Sequence, residues 1–154
     1  MKTLEPADKL VSIERIVVAV DLTRHSEATA NYAAQIAKCF NASLYVVHVF
    51  TPAPLHEFES EGAYSLIEQQ RKEFPQLNDL TEQVRTLVPE CEPVFLEGEP
   101  AAQISALARD VDADLVVTAS HHPTFLGRLF NLEKAPKIMH RAPCAVLVYH
   151  EKNA

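Results

Sequence analysis

Unbroken apolar runs divide this chain, and between them apolar residues recur every three or four positions. Ile16-Val17-Val18-Ala19-Val20 is the first run. A continuous, β-branched stretch of this length predicts a strand covered on both faces. The run ends at Asp21, and a polar loop leads to Ser26, whose hydroxyl is suited to cap a helix. Ala30, Ala33, Ala37 and Phe40 then mark one helical face. Ser43 to Val49 reads as the second strand, and Thr51 to Gly62, with Pro52 and Pro54, as the longest loop.

Tyr64 to Leu87 is helical in pattern, with Leu77, Leu80, Val84 and Leu87 on the buried face. Pro75 predicts a kink or two shorter helices, because proline lacks the N–H and crowds the preceding turn. Glu92 to Glu97 is a third strand, with Pro93 suited to a sheet edge or a strand start. Gly98-Glu99-Pro100 turns into a helix striped by Ile104, Leu107 and Val111. Leu115 to Thr118 is a fourth strand, Glu133 to His140 a helix with Pro136 in or near its first turn, and Ala145 to Tyr149 a fifth strand.

Five strands alternating with helices predict one open parallel sheet with helices on both faces, since parallel neighbours need crossover connections. Ligands in such sheets bind beyond the carboxyl ends of the strands, where the strand order reverses. If the first and fourth strands are neighbours, the loops after Val20 and Thr118 lie side by side there. Residues 1–12 read as a flexible arm, and 13–150 as a single domain with no internal repeat or linker.

Composition narrows the function more by exclusion than by indication. With 154 residues, 47% hydrophobic and 23% charged, the chain has the make-up of an ordinary globular domain. A net charge of -7 argues against nucleic acid as partner, because phosphate neutralisation dominates that affinity. No apolar run approaches the ~18 residues of a membrane span, and the polar N-terminus lacks the apolar centre of a signal peptide. The three cysteines, Cys39, Cys91 and Cys144, are widely spaced and suggest neither disulfides nor a metal site. Together these features predict a cytoplasmic protein with reduced thiols.

The residues also carry a family resemblance. The strand ending in Val20-Asp21, the Val46-Val47-His48-Val49 strand, the Gly98-Glu99-Pro100 turn, the Ala113-Asp114-Leu115-Val116-Val117 run and the closing Ala142-Pro143-Cys144-Ala145-Val146-Leu147-Val148 occur in order. In these features the chain resembles the universal stress proteins from Ile13 to about Tyr149. The resemblance implies a Rossmann-like, adenine nucleotide alpha hydrolase-like sheet of order 3-2-1-4-5. It also implies a homodimer through the last strand, Ala145, Val146, Leu147, Val148 and Tyr149. A long apolar edge strand is a liability unless paired or covered, which supports the same expectation on physical grounds.

Nucleotide-binding members resemble G-x-x-G, nine residues, then G-[S/T]. On this sequence those positions are Ala119, His122, Leu132 and Glu133, and all depart. Glycines admit the backbone close to phosphates; an imidazole and an isobutyl group fill that space. Glu133 sets a carboxylate where a hydroxyl would face the phosphates, and like charges ~4 Å apart repel by ~4 kcal/mol at an effective dielectric of ~20. A histidine pair followed by an aromatic resembles instead the universal stress protein A branch. That resemblance implies a non-enzymatic, cofactor-free stress protein that does not take ATP. The alternative is a nucleotide-binding member with an altered phosphate loop, holding AMP, adenosine or ATP.

The candidate ligand edge, vestigial in the first reading, comprises Ala19, Val20, Asp21, Val49, Thr118, Ala119, His121, His122, Leu132 and Glu133. Asp21 matches the acidic residue that faces adenosine in nucleotide-binding relatives; its plainer reading is a turn carboxylate accepting backbone N–H bonds. His121 and His122 with His25 or His140 are disfavoured as metal ligands, since adjacent side chains on an extended chain point opposite ways. Phe125, Leu126, Leu129 and Phe130 predict a lid packed on the core that contributes to the interface. Cys144 reads as an inert core thiol. A phosphoacceptor domain would need clustered acids after the first strand, and a nucleotidyl transferase its histidines there; neither pattern is present.

Overall fold

The computed structural model describes residues 10–52, 62–120 and 134–152, with the side chains of residues 62–66, 134 and 135 left aside. Its elements alternate along the chain: β1 (Arg15–Ala19), α1 (Ser26–Phe40), β2 (Ser43–Phe50), α2 (Gly62–Arg85), β3 (Cys91–Glu97), α3 (Pro100–Asp110), β4 (Leu115–Ala119), α4 (Lys134–Arg141) and β5 (Ala145–Tyr149). The strands form one parallel sheet of order β3-β2-β1-β4-β5. The apolar runs become the central strands because both faces there are covered: Ile16, Val17, Val18, Val46, Val47, Val116 and Val117 are completely buried.

Alternate residues of each strand feed two cores. Ile16, Val18, Leu44, Val46 and Val117 pack with the alanines of α1 and with Leu77, Leu80 and Val84 of α2. On the other face Val17, Val47 and Val116 pack with Ala101, Ile104 and Ala108 of α3 and Ile138 of α4. Ala30, Ala33, Ala34 and Ala37 are all fully buried, so small side chains bring α1 close against the sheet. Phe40, expected to complete that stripe, is 44% exposed at the helix end. On α3 the buried positions are Ala101, Ile104, Ser105 and Ala108, with Leu107 at the margin.

Two local expectations are corrected. Ser26 does not cap α1: it is the first helical residue, His25 occupies the cap position and makes no side-chain capping bond. The Ser26 hydroxyl is turned back to Asp21. Of the two outcomes expected at Pro75, a kink or two shorter helices, the second is overturned: one helix runs from Gly62 to Arg85. Pro75 lies exposed, so the carbonyl it leaves without an intrahelical donor can face water, while Leu77 and Val84 are fully buried and anchor the helix beyond it.

The remaining turns are fixed by side chains. Glu99 caps α3, accepting from the N–H groups of Ala101 and Ala102 at 3.2 and 2.8 Å, with Pro100 opening the helix. Arg141 of α4 donates to the same carboxylate at 3.0 Å. Burial alone would raise the Glu99 carboxyl, but the two backbone N–H bonds and the charges of Arg141 and Lys137 outweigh it and hold it below its ordinary value. Gly98 adopts φ +137, and a Cβ there would meet the Gln103 side chain at 3.0 Å, so glycine is required. Asp114 accepts from the N–H groups of Glu14 and Arg15 at 2.8 and 3.0 Å, tying the start of β4 to that of β1.

Candidate functional site

The strand order reverses between β1 and β4, whose pairing sets Val17 beside Val116 and Val18 beside Val117. The carboxyl ends of these two strands are therefore adjacent, and they carry Ala19, Val20 and Asp21 on one side and Thr118 and Ala119 on the other. Val20 and Thr118 are each 7% exposed, whereas Asp21, Ala19 and Ala119 are partly open. Val49 lies on β2, paired with Leu96 of β3 and packed with Ala19 against the α3 side. His121, His122, Leu132 and Glu133, with the Phe125 to Phe130 cluster, lie outside the described residues. Every predicted position that is described thus falls at the carboxyl end of the sheet.

The loop after β1 is built around Asp21. Its Oδ1 accepts from the Thr23 N–H at 3.1 Å, the Thr23 hydroxyl at 2.7 Å and the Ser26 hydroxyl at 2.9 Å. This is the turn-carboxylate geometry expected as its plainer role. Leu22, directly after Asp21, adopts φ 60. A bulky residue held in the left-handed region costs about 1–3 kcal/mol and persists only where its surroundings impose it. Here Leu22 packs against the α1-side core while the Asp21 carboxylate closes the turn around it.

The chain returns to this edge after β5. The Ser120 N–H donates to the Tyr149 carbonyl at 2.9 Å, Tyr149 stacks on Tyr32 of α1 with ring centroids 4.5 Å apart, and His25 Nδ1 meets Glu151 Oε2 at 2.6 Å. Thr23, Ser26 and Leu22 escape sequence reasoning, since serine and threonine in a polar loop read as ordinary caps. His48, buried in β2, is a further functional candidate not singled out from sequence; its only signal is a titratable residue inside an otherwise apolar run.

Among the described residues, two open clefts of about 460 and 450 Å³ lie at the opposite end of the sheet. One is lined by Arg15, Arg109, Asp112 and Asp114, the other by Ser43, Arg85, Glu90 and Glu92. The carboxyl end is preferred as the functional edge on topology, because ligands of open parallel sheets bind beyond the carboxyl ends of the strands where the strand order reverses. No group of three or more His, Cys, Asp or Glu side chains suited to a metal occurs among the described residues, and no helix there is long and apolar enough to cross a membrane. Burial pushes the Cys91 thiol up to about 11, despite the opposing charge of Arg85. Burial also raises Cys144, and Asp114 adds to it.

A five-stranded parallel sheet of this order, with helices on both faces, is a Rossmann-like fold of the adenine nucleotide alpha hydrolase-like kind. The chain belongs to the universal stress protein family, whose family model matches residues 12–150. It is 31% identical over 139 residues to a universal stress protein of Methanocaldococcus jannaschii, covering 88% of this chain and 81% of that one. It is 32% identical over 138 residues to a universal stress protein A homolog of Coxiella burnetii, covering 87% of this chain and 94% of the relative. A universal stress protein solved in complex with cAMP superposes with a TM-score of 0.70 at 22% identity, over 91% of this chain and 98% of that one.

Proposed function

We propose that this universal stress protein is a non-enzymatic, dimeric stress-response protein of the A type, working in the cytoplasm without ATP. The observation that carries the reading is the set of substitutions at the phosphate-loop positions, Ala119, His122, Leu132 and Glu133. Ala119 ends β4 beside β1, so the altered motif begins at the carboxyl edge where a phosphate chain would run. Loss of the glycines narrows the backbone's approach, and Glu133 adds a charge that opposes a triphosphate. Dimerisation through β5 is supported by its place at the sheet edge and by the partial burial of Val146, Leu147, Val148 and Tyr149 in the isolated chain.

A second reading is carried by a different observation. A relative of the same fold was solved with cAMP, and Asp21 stands in this chain where an acid faces adenosine in nucleotide-binding members. A ligand with one phosphate, such as AMP, asks less of the altered loop than ATP does. Thermal denaturation with ATP, ADP, AMP and adenosine separates the two. A ligand at ~100 times its dissociation constant adds about 2.7 kcal/mol of stability. No shift with ATP is expected; a shift with AMP alone establishes the second reading, and an ATP shift of that size overturns the first.

A further inference from the structure

His48 is 8% exposed, and both of its ring nitrogens are engaged. Nδ1 lies 2.9 Å from the Val20 carbonyl oxygen, and Nε2 lies 2.9 Å from Glu73 Oε2 on α2. The second Glu73 oxygen accepts from Gln69 Nε2 at 2.8 Å. Phe95 of β3 covers the ring, with centroids 5.6 Å apart. A carbonyl oxygen only accepts, so Nδ1 carries a hydrogen and donates it. Nε2 then faces a carboxylate oxygen, and a hydrogen bond there requires one proton between them, on the ring or on the acid. Among the described residues Glu73 is the charged group that contacts the ring; β1 and β3 present a carbonyl and an aromatic face.

Val20 stands where β1 leaves the sheet. Its N–H still donates to the Val47 carbonyl at 2.9 Å, while its own carbonyl takes the His48 imidazole. The next two residues are Asp21 and the left-handed Leu22. The loop is thus held from two sides, by the Asp21 carboxylate within it and by His48 at its root. We propose that His48 and Glu73 are a positioning pair for the ligand-facing loop, fixing the Val20 carbonyl so that Asp21 and Leu22 keep their conformation and tying that loop to α2. The proposal rests on reading the carboxyl end of β1 as the ligand-facing edge. Its test needs no ligand, so failure of either nucleotide reading leaves it standing or falling on its own.

The test is NMR on the full-length protein, reading the His48 ring nitrogens and amide exchange at Thr23, whose N–H reports the Asp21 turn. In the wild type Nδ1 is expected to carry a proton. His48→Phe keeps the ring volume against Phe95 but removes the donor, and Thr23 exchange should quicken about tenfold, the scale of one lost hydrogen bond. His48→Asn places an amide N–H where Nδ1 was and should return exchange close to the wild-type rate, which a purely space-filling role would not do. A wild-type Nδ1 without its proton overturns the proposal without any variant. So does a folded His48→Phe protein with unchanged Thr23 exchange, or a folded His48→Asn protein exchanging as fast as His48→Phe.

Discussion

The side chains that shape this molecule locally are carboxylates set against backbone N–H groups: Asp21 in the β1 loop, Asp114 between β4 and β1, and Glu99 at the head of α3. Glu99 makes this measurable. Its folded-state carboxyl is held below the ordinary value, so its stabilising effect is present above the ordinary carboxylate range and fades as pH falls through that lowered value. Glu99→Ala should cost about 1 kcal/mol near neutral pH, the usual scale of a lost cap. The gap between the two proteins should close on acidification, as read by urea denaturation at each pH. The thiols give a second prediction. Cys91 is buried with its pKa pushed to about 11, and Cys39 is exposed, so a thiol reagent at pH 8 should label Cys39 first and Cys91 only on unfolding. Asp21 was legible as the end of a strand; its partners were not, because which hydroxyl of a polar loop turns inward depends on packing. His48 stayed hidden for the same reason, since its partners come from Val20 and Glu73, both more than twenty residues away in sequence.

Elements were easier to read than contacts. Strands buried on both faces announce themselves as β-branched runs, and all five stand within a residue or two of their expected bounds. Helix α1 was equally plain from its alanine spacing. Where local rules misled, packing had overridden them. Pro75 should break a free helix, yet α2 continues through it because Leu77, Leu80, Thr81 and Val84 are buried beyond it. Pro75→Ala restores an N–H donor and removes the ring's clash with the preceding turn. It should raise stability by about 2 kcal/mol after allowing for the looser unfolded chain, measured as an increased denaturation midpoint with unchanged m value. A loss of stability would mean that the proline's shape is itself part of the packing between α2 and the sheet.

At the scale of the whole molecule, a sheet with two edges has to protect both. The β3 edge carries Pro93, flanked by the exposed Glu92 and, at the strand's end, Glu97, devices that discourage pairing. The β5 edge carries only apolar residues from Ala145 to Tyr149. Because Tyr149 directs its carbonyl to Ser120 beside β4, strand alternation turns the N–H groups of Val146 and Val148 to the free edge. Val148→Pro should therefore remove an outward donor while sparing the β4 ladder, and shift the proposed dimer to a monomer in light scattering with the circular dichroism retained. Native mass spectrometry of the protein purified from its own cells reads assembly and bound small molecules together. The expected spectrum is a dimer without ATP or ADP. A monomer, or a dimer that retains either nucleotide, would contradict the proposed function.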